Sequence, residues 1–215
     1  MKTAREPEYR KRIGYQAALL GGFSTLATIF LVMGNISTKE TILLRQQEDL
    51  QSSLAEVIPT EYYNNNLVEN PLQVVDVDKQ SITIYRGTKN KQVSALAWEI
   101  SGQGYAGEMR FIMAVDNTGK ILGVRVLSHA ETPGLGDKME VEKDNWILNF
   151  NGLSLGKPPE EQWKVKKDGG QFDAFTGATI TPRGVVRAIV EALKFFRQNQ
   201  TKLSTLIIED HPKKM

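Results

Sequence analysis

Seven consecutive residues, Asp173-Ala174-Phe175-Thr176-Gly177-Ala178-Thr179, concentrate the chemistry this sequence offers. They lie just ahead of a helix predicted over 182–198. At such an N-terminus free backbone N–H groups and the positive end of the helix dipole converge, a combination that holds phosphate. A threonine hydroxyl placed there can be esterified. The phosphodiester so formed keeps one negative charge for those amides to meet. Gly177 and Ala178 lack bulk, so a large planar ring or a modifying enzyme can approach. A purely structural explanation covers the same residues: Thr181 as the N-cap, Pro182 at the first helical position, and Gly177 in a tight turn. On residue chemistry alone that explanation is preferred.

A second stretch, Ser128-His129-Ala130-Glu131-Thr132-Pro133-Gly134-Leu135-Gly136-Asp137-Lys138, is equally dense. Pro133-Gly134 suits a type II turn. Glu131 suits a helix cap or a solvated surface, and His129 suits a hydrogen-bonded structural role better than proton transfer. A third stretch, Gly102-Gln103-Gly104-Tyr105-Ala106-Gly107, is a literal GxGxxG. A dinucleotide site requires that motif to open a helix, with an acidic residue about 20 positions on. Here 109–115 alternates as a strand and the acidic residue is missing. A glycine-rich connection between strands, allowing some close approach to the backbone, is the better reading.

Composition narrows the chemistry. The absence of cysteine removes disulfides, thiolate zinc sites, cysteine-ligated iron–sulfur clusters and CxxCH haem attachment. Two histidines leave little for a metal cage, and no metal site is expected. Redox chemistry here would need an organic cofactor. Residues 1–12 carry five basic and two acidic side chains, against 22 basic and 23 acidic in the rest. The folded part is therefore nearly neutral, and nothing resembles a nucleic-acid stripe.

Between Arg12 and Lys39 there is no charge. Residues 13–36 are mostly apolar and long enough to cross a hydrocarbon core of ~30 Å. The basic cluster precedes this span, which places residues 1–12 in the cytoplasm and the main domain outside. Gly34-Asn35-Ile36-Ser37-Thr38 is a poor cleavage site, so an uncleaved anchor is expected rather than a signal peptide. Residues 40–57 suit a helix with Leu43, Leu50, Leu54 and Val57 on one face, ended by Pro59. Together with the Asn-rich loop 62–70 they form a stalk segment, 37–70. Strands are predicted over 81–86, 93–100, 109–115 and 121–127, the last two joined by the turn Asp116-Asn117-Thr118-Gly119. Helices are predicted over 137–150 and 182–198. The fold class is α+β: a transmembrane helix, then one extracytoplasmic domain (71–200) with a largely antiparallel sheet and packed helices, then a tail, 201–215.

The 173–179 segment, followed by Ile180-Thr181, resembles the attachment motif of the FMN-binding domain family. That family includes the G subunit of the Rnf (Rsx) electron transport complex and the C subunit of the sodium-translocating NADH:quinone reductase. Glu131-Thr132-Pro133-Gly134-Leu135-Gly136 resembles the family's ETPGLG segment, and Gly104-Tyr105-Ala106-Gly107 and the anchor also fit. The pattern around His129 and the short length are more similar to the Rnf G subunit. The resemblance implies FMN joined through its phosphate to Thr179, with Thr176, Gly177 and Ala178 beside it. It implies that Thr132, Leu135 and the backbone N–H groups of Gly134 to Gly136 border the ring. A flavin transferase using FAD and magnesium would make the bond, recognising Asp173. The chain would be one electron relay, without catalytic residues of its own, in an inner-membrane complex that passes electrons between reduced ferredoxin and NAD coupled to ion movement. Its domain would be periplasmic. Three alternatives stay open: the quinone-reductase C subunit, a stand-alone extracytoplasmic flavin reductase, and a membrane-anchored binding module without flavin.

Overall fold

The structure is a computed structural model describing residues 13–75 and 81–204. The expected cytoplasmic tail, 1–12, and most of the expected C-terminal tail lie outside the described residues.

Helix α1 runs unbroken over Ile13–Val57. Its segment Ile13–Asn35 is long and apolar enough to cross a membrane, and its large side chains are exposed. Leu20, Phe23, Phe30 and Leu31 are among them, and a helix apolar all round suits lipid rather than water. The helix continues through the predicted stalk and ends at Val57, just past which the Ile58 N–H still reaches the Leu54 carbonyl at 2.9 Å. Pro59 can neither donate a backbone hydrogen bond nor tolerate a helical residue before it, and the chain turns there.

From Asp49 onward the chain forms a compact unit of its own. Five strands, β1 (Leu72–Val75), β2 (Ser81–Lys89), β3 (Gln92–Gln103), β4 (Glu108–Asp116) and β5 (Ile121–Ser128), form an antiparallel meander in sequence order. Four of them stand where alternation predicted them. β1 is an addition: four residues are too few to show a period. The turn at 116–119 joins β4 to β5 as expected, with Asp116 Oδ1 accepting from the Thr118 and Lys120 amides at 2.8 and 3.0 Å.

The strand period sorts the side chains into two cores. Leu96, Trp98, Ile100, Phe111, Met113 and Val115 point to one face, where helix α2 (Ile180–Ser204) covers them with Val185, Ile189, Leu193 and Phe196. Ala95, Ala97, Ile112 and Ala114 point to the other, under Leu54, Val57 and Ile58. A strand buried on both faces loses its polar alternation, and this is visible in β3 and β4.

The helix predicted over 137–150 is not one helix. The structure has two 3-10 turns, Asp137–Met139 and Asn145–Phe150, separated by Glu140–Asp144. Asp144 is extended and its side chain accepts from the Trp146 amide at 2.9 Å, which starts a new turn rather than continuing the old one. Met139, Trp146 and Phe150 are nevertheless buried together, as their spacing suggested. Trp146 packs edge-on to Phe150 and Phe175, and its ring N–H reaches the Asp173 carbonyl at 2.9 Å.

The GxGxxG stretch joins β3 to β4 as a tight connection, with the Gly104 N–H donating to the Gly107 carbonyl at 2.8 Å. What its glycines admit is α2. A methyl group at Gly184 would stand 2.2 Å from the Gln103 carbonyl oxygen, and one at Gly102 would stand 2.9 Å from the Gly184 carbonyl oxygen. Backbone thus lies on backbone where the first turns of α2 cross β3. Gly184→Ala is expected to lower stability by about 2 kcal/mol, the scale of overpacking a rigid contact. A thermal melt of the full chain in detergent, followed by circular dichroism, checks this.

Candidate functional site

Two turns of the same type face each other beside the start of α2. In the first, Thr132-Pro133-Gly134-Leu135, the Leu135 N–H donates to the Thr132 carbonyl at 3.1 Å and Gly134 has φ +79°. In the second, Phe175-Thr176-Gly177-Ala178, the Ala178 N–H donates to the Phe175 carbonyl at 3.1 Å and Gly177 has φ +82°. Both need a positive φ at the third position, which glycine adopts without strain. The turns touch: a methyl group at Gly177 would lie 3.4 Å from Leu135 Cδ2.

Between them opens a cavity of about 300 Å³ lined by Tyr105, Glu131, Thr132, Leu135, Gly136, Gly177, Ala178, Thr179 and Ile180. The structure therefore brings six of the nine expected site residues to one cavity: Thr132, Leu135, Gly136, Gly177, Ala178 and Thr179. Gly134 and Thr176 stay outside the lining and shape the turns. Asp173 also stays outside, its exposed carboxylate 2.7 Å from Lys166 Nζ.

α2 begins at Ile180, so Thr179 is the residue immediately before the helix. Thr181 does not cap it. It is fully buried inside the first turn, and its hydroxyl donates to Glu131. Pro182 accordingly sits at the third helical position, where its missing N–H is still one the helix would leave unpaired. The amides of that first turn face the Thr179 side.

Glu131 is neither a helix cap nor solvated. It is 5% exposed. One carboxylate oxygen accepts from the Ala106 N–H at 2.9 Å and the other from the Thr181 hydroxyl. Methyl groups at Gly104 and Gly136 would collide with its oxygens. One side chain thus joins the β3–β4 connection, the 132–136 turn and α2. His129 is structural: its Nδ1 accepts from the Glu131 N–H at 3.0 Å, which leaves Nε2 to donate to Glu140 at 2.6 Å.

The backbone of the 132–136 turn is internally committed. The Leu135 and Gly136 amides both reach the Thr132 carbonyl at 3.1 Å. What this turn offers a ligand is therefore side-chain and carbonyl surface. Asp137 is almost wholly buried, with Lys143 Nζ 2.7 Å from Oδ2. The hydrogen bond from Lys143, then that from Gly134, hold its carboxyl below the usual range against the opposing effect of burial.

Besides Glu131, sequence reasoning missed three contributors. Tyr105 and Ile180 supply exposed apolar surface at the cavity rim. Lys167 donates to Thr179 Oγ1 at 3.0 Å. Tyr105 sat inside the rejected glycine motif, and Lys167 in the basic run Lys164-Val165-Lys166-Lys167, where nothing in the sequence pointed toward Thr179.

The cavity's lining suits a planar aromatic ligand with an acidic group. Leu135, Ile180 and Tyr105 provide apolar area, Gly177 and Ala178 provide clearance, and Thr179 stands where an anion meets helix amides and Lys167. A volume of about 300 Å³ is at the small end for organic cofactors, which suits a ring lying partly at the surface.

Residues 104–194 match the family model described as FMN-binding domain. The chain is 43% identical over 196 residues to the G subunit of the ion-translocating oxidoreductase complex of Stutzerimonas stutzeri, covering 91% of this chain and 86% of that one. It is 44% identical over 185 residues to the corresponding G subunit of Cereibacter sphaeroides, covering 86% and 84%. The chain belongs to the G-subunit family of ion-translocating oxidoreductase complexes. The solved structure of NqrC from Shewanella oneidensis aligns with 68% of this chain and 73% of its own at 23% identity and a TM-score of 0.47, a likeness too loose to argue from. The family match and the cavity fall in the same part of the chain, and the family's domain description names FMN.

Asp137 gives the site a pH dependence. A carboxylate whose pKa is lowered by folding adds stability that is complete above its unfolded value, about 3.9, and is lost as pH falls through the lowered folded value. Asp137→Asn should therefore lower the melting temperature at pH 7 and shrink the further loss seen on acidification below about pH 4. Melts of the two chains across that range check both parts.

Proposed function

We propose that this chain is a membrane-anchored electron-transfer subunit carrying FMN covalently, through its phosphate, on Thr179, and that it works within an ion-translocating oxidoreductase complex. The observation that carries the reading is the position of the Thr179 hydroxyl. It precedes the first residue of α2, lines the cavity and accepts from a lysine, in a chain whose relatives are named as subunits of such a complex.

The attachment is a substitution at phosphorus. The Thr179 oxygen forms an ester with the FMN phosphoryl of FAD, the pyrophosphate bond breaks, AMP leaves, and the hydroxyl proton passes to a base of the transferase. No redox change accompanies it. A separate flavin transferase with magnesium supplies this chemistry, reading Asp173, whose carboxylate is 65% exposed. FMN held there supplies one- and two-electron redox chemistry. The protein's own residues do the holding. Amides of the first turn of α2 and Lys167 receive the phosphodiester charge. Leu135, Ile180 and Tyr105 would offer the ring apolar surface. The Glu131 tie keeps the two turns at a fixed separation.

The apolar helix α1 keeps this domain in the membrane plane, where the other subunits raise the effective concentration of each redox partner. The basic residues before the span orient it with the N-terminus in the cytoplasm and the domain in the periplasm.

Full chain co-expressed with a flavin transferase should carry one FMN-phosphoryl adduct in its intact mass and be yellow. Thr179→Ala should abolish both, and Asp173→Asn should slow attachment while lowering the melting temperature by a few degrees at most, since the exposed pair with Lys166 contributes about 1 kcal/mol or less. An unmodified, colourless parent chain beside a transferase active on a control substrate overturns the covalent reading.

A further inference from the structure

Three consecutive residues in the 3-10 turn Lys166–Asp168 each bind a different position around the proposed attachment segment. Lys166 Nζ is 2.7 Å from the Asp173 carboxylate at the start of the segment. Lys167 Nζ is 3.0 Å from Thr179 Oγ1 at its end. Asp168 makes a two-point ion pair with Arg183 in the opening turns of α2, at 2.6 and 2.7 Å. The pair holds Arg183 above and Asp168 below their ordinary pKa values, in each case chiefly through the hydrogen bonds between them. The turn is itself fixed by local backbone. Gly170 lies against Lys164, where an added methyl would overlap its carbonyl oxygen, and the Lys166 and Phe172 amides are bonded across the loop at 2.7 and 3.2 Å. The backbone that carries the exposed Lys167 side chain is thus fixed beside Thr179.

We infer that Lys167 is a positioning residue of the attachment site, orienting the Thr179 hydroxyl before the ester forms and pairing with the phosphodiester afterwards. This rests on the reading of Thr179 given above. An ammonium group that donates to Oγ1 uses one lone pair of that oxygen, fixes its direction, and leaves the hydroxyl proton free to go to the transferase. It does not act as the base, because it is already the donor. With phosphorus bonded to Oγ1, the two unesterified oxygens would lie two bonds beyond that oxygen, a distance a flexible four-carbon side chain can follow. The bond that was lysine to neutral hydroxyl then becomes lysine to anion, which is the stronger kind. Asp168 matters in the same arrangement. It holds the Arg183 guanidinium in a two-point pair while Lys167 meets Thr179.

The test uses the full chain in detergent with transferase, FAD and magnesium, and follows attachment by intact mass. Lys167→Gln should slow the initial rate by roughly ten-fold, the equivalent of one charge-assisted hydrogen bond. Lys167→Arg should restore most of it, and Lys120→Gln, a charge control on the β4–β5 turn, should match the parent. A second readout separates positioning from mere folding. The rise in melting temperature on attachment should be smaller in Lys167→Gln than in the parent, while the unattached chains melt alike, a thermodynamic cycle that isolates the coupling. Attachment to Lys167→Gln at the parent rate, with an equal rise in melting temperature, overturns the assignment. A parent chain that takes no FMN overturns the Thr179 reading and this one with it.

Discussion

The buried carboxylate of Glu131 is the constraint on which the site depends. Removing a carboxylate from water is costly unless its oxygens are met by donors. Here the donors come from two distant parts of the chain, the Ala106 amide and the Thr181 hydroxyl, and Glu131 itself belongs to a third. Satisfying one group therefore fixes three segments together. The collisions that methyl groups at Gly104 and Gly136 would make with its oxygens have the same origin, because backbone must come close for the donors to reach. The two facing turns, the start of α2 and the cavity between them follow from that single tie.

The sheet supplies the rigidity against which the tie acts. β3 and β4 are buried on both faces, with large side chains toward α2 and small ones toward the end of α1. The Ala95, Ala97 and Ala114 face lets a helix end lie close, and the Trp98, Phe111 and Met113 face fills the space beneath α2. With both faces occupied, a shift of register by one residue would exchange these sets and empty one core while overfilling the other. α2 cannot slide either, since Gly184 meets the backbone at Gln103. The position of Thr179, one residue ahead of that helix, is therefore set by the whole domain.

Much of this was legible in the sequence, and the parts that were not have physical reasons. β2 to β5 and α2 fall where the sequence places them, although β3 and β4 are buried on both faces and alternate only near their ends. β1 is too short to show a period. The 137–150 segment has helical spacing at Met139, Trp146 and Phe150, yet Asp144 intervenes with a side chain that captures a backbone amide, and local hydrogen bonding overrides pattern. The roles of Thr181 and Glu131 were reversed for a related reason. A threonine before a proline looks like a cap, and a glutamate beside Thr-Pro-Gly looks solvated. Each changes meaning only because the other lies against it, 50 residues away in sequence. Six of the site residues could be grouped in advance through family resemblance. Lys167 could not, since a lysine in a basic run carries no mark of the hydroxyl it will meet.

The arrangement also explains why a threonine, rather than a pocket, suits the task proposed for this domain. A cavity of about 300 Å³ with an exposed rim offers limited burial, and reversible affinity for an organic cofactor grows with burial. The ester proposed at Thr179 would remove that dependence. With such an ester a ring near the surface, open to a partner, would not be lost by dissociation. The same logic governs α1. A membrane span makes the encounter with neighbouring subunits nearly intramolecular, so partner surfaces need not bind tightly to be effective. Both tethers replace affinity with geometry. A relay benefits from this, because it must release each partner as readily as it meets the next.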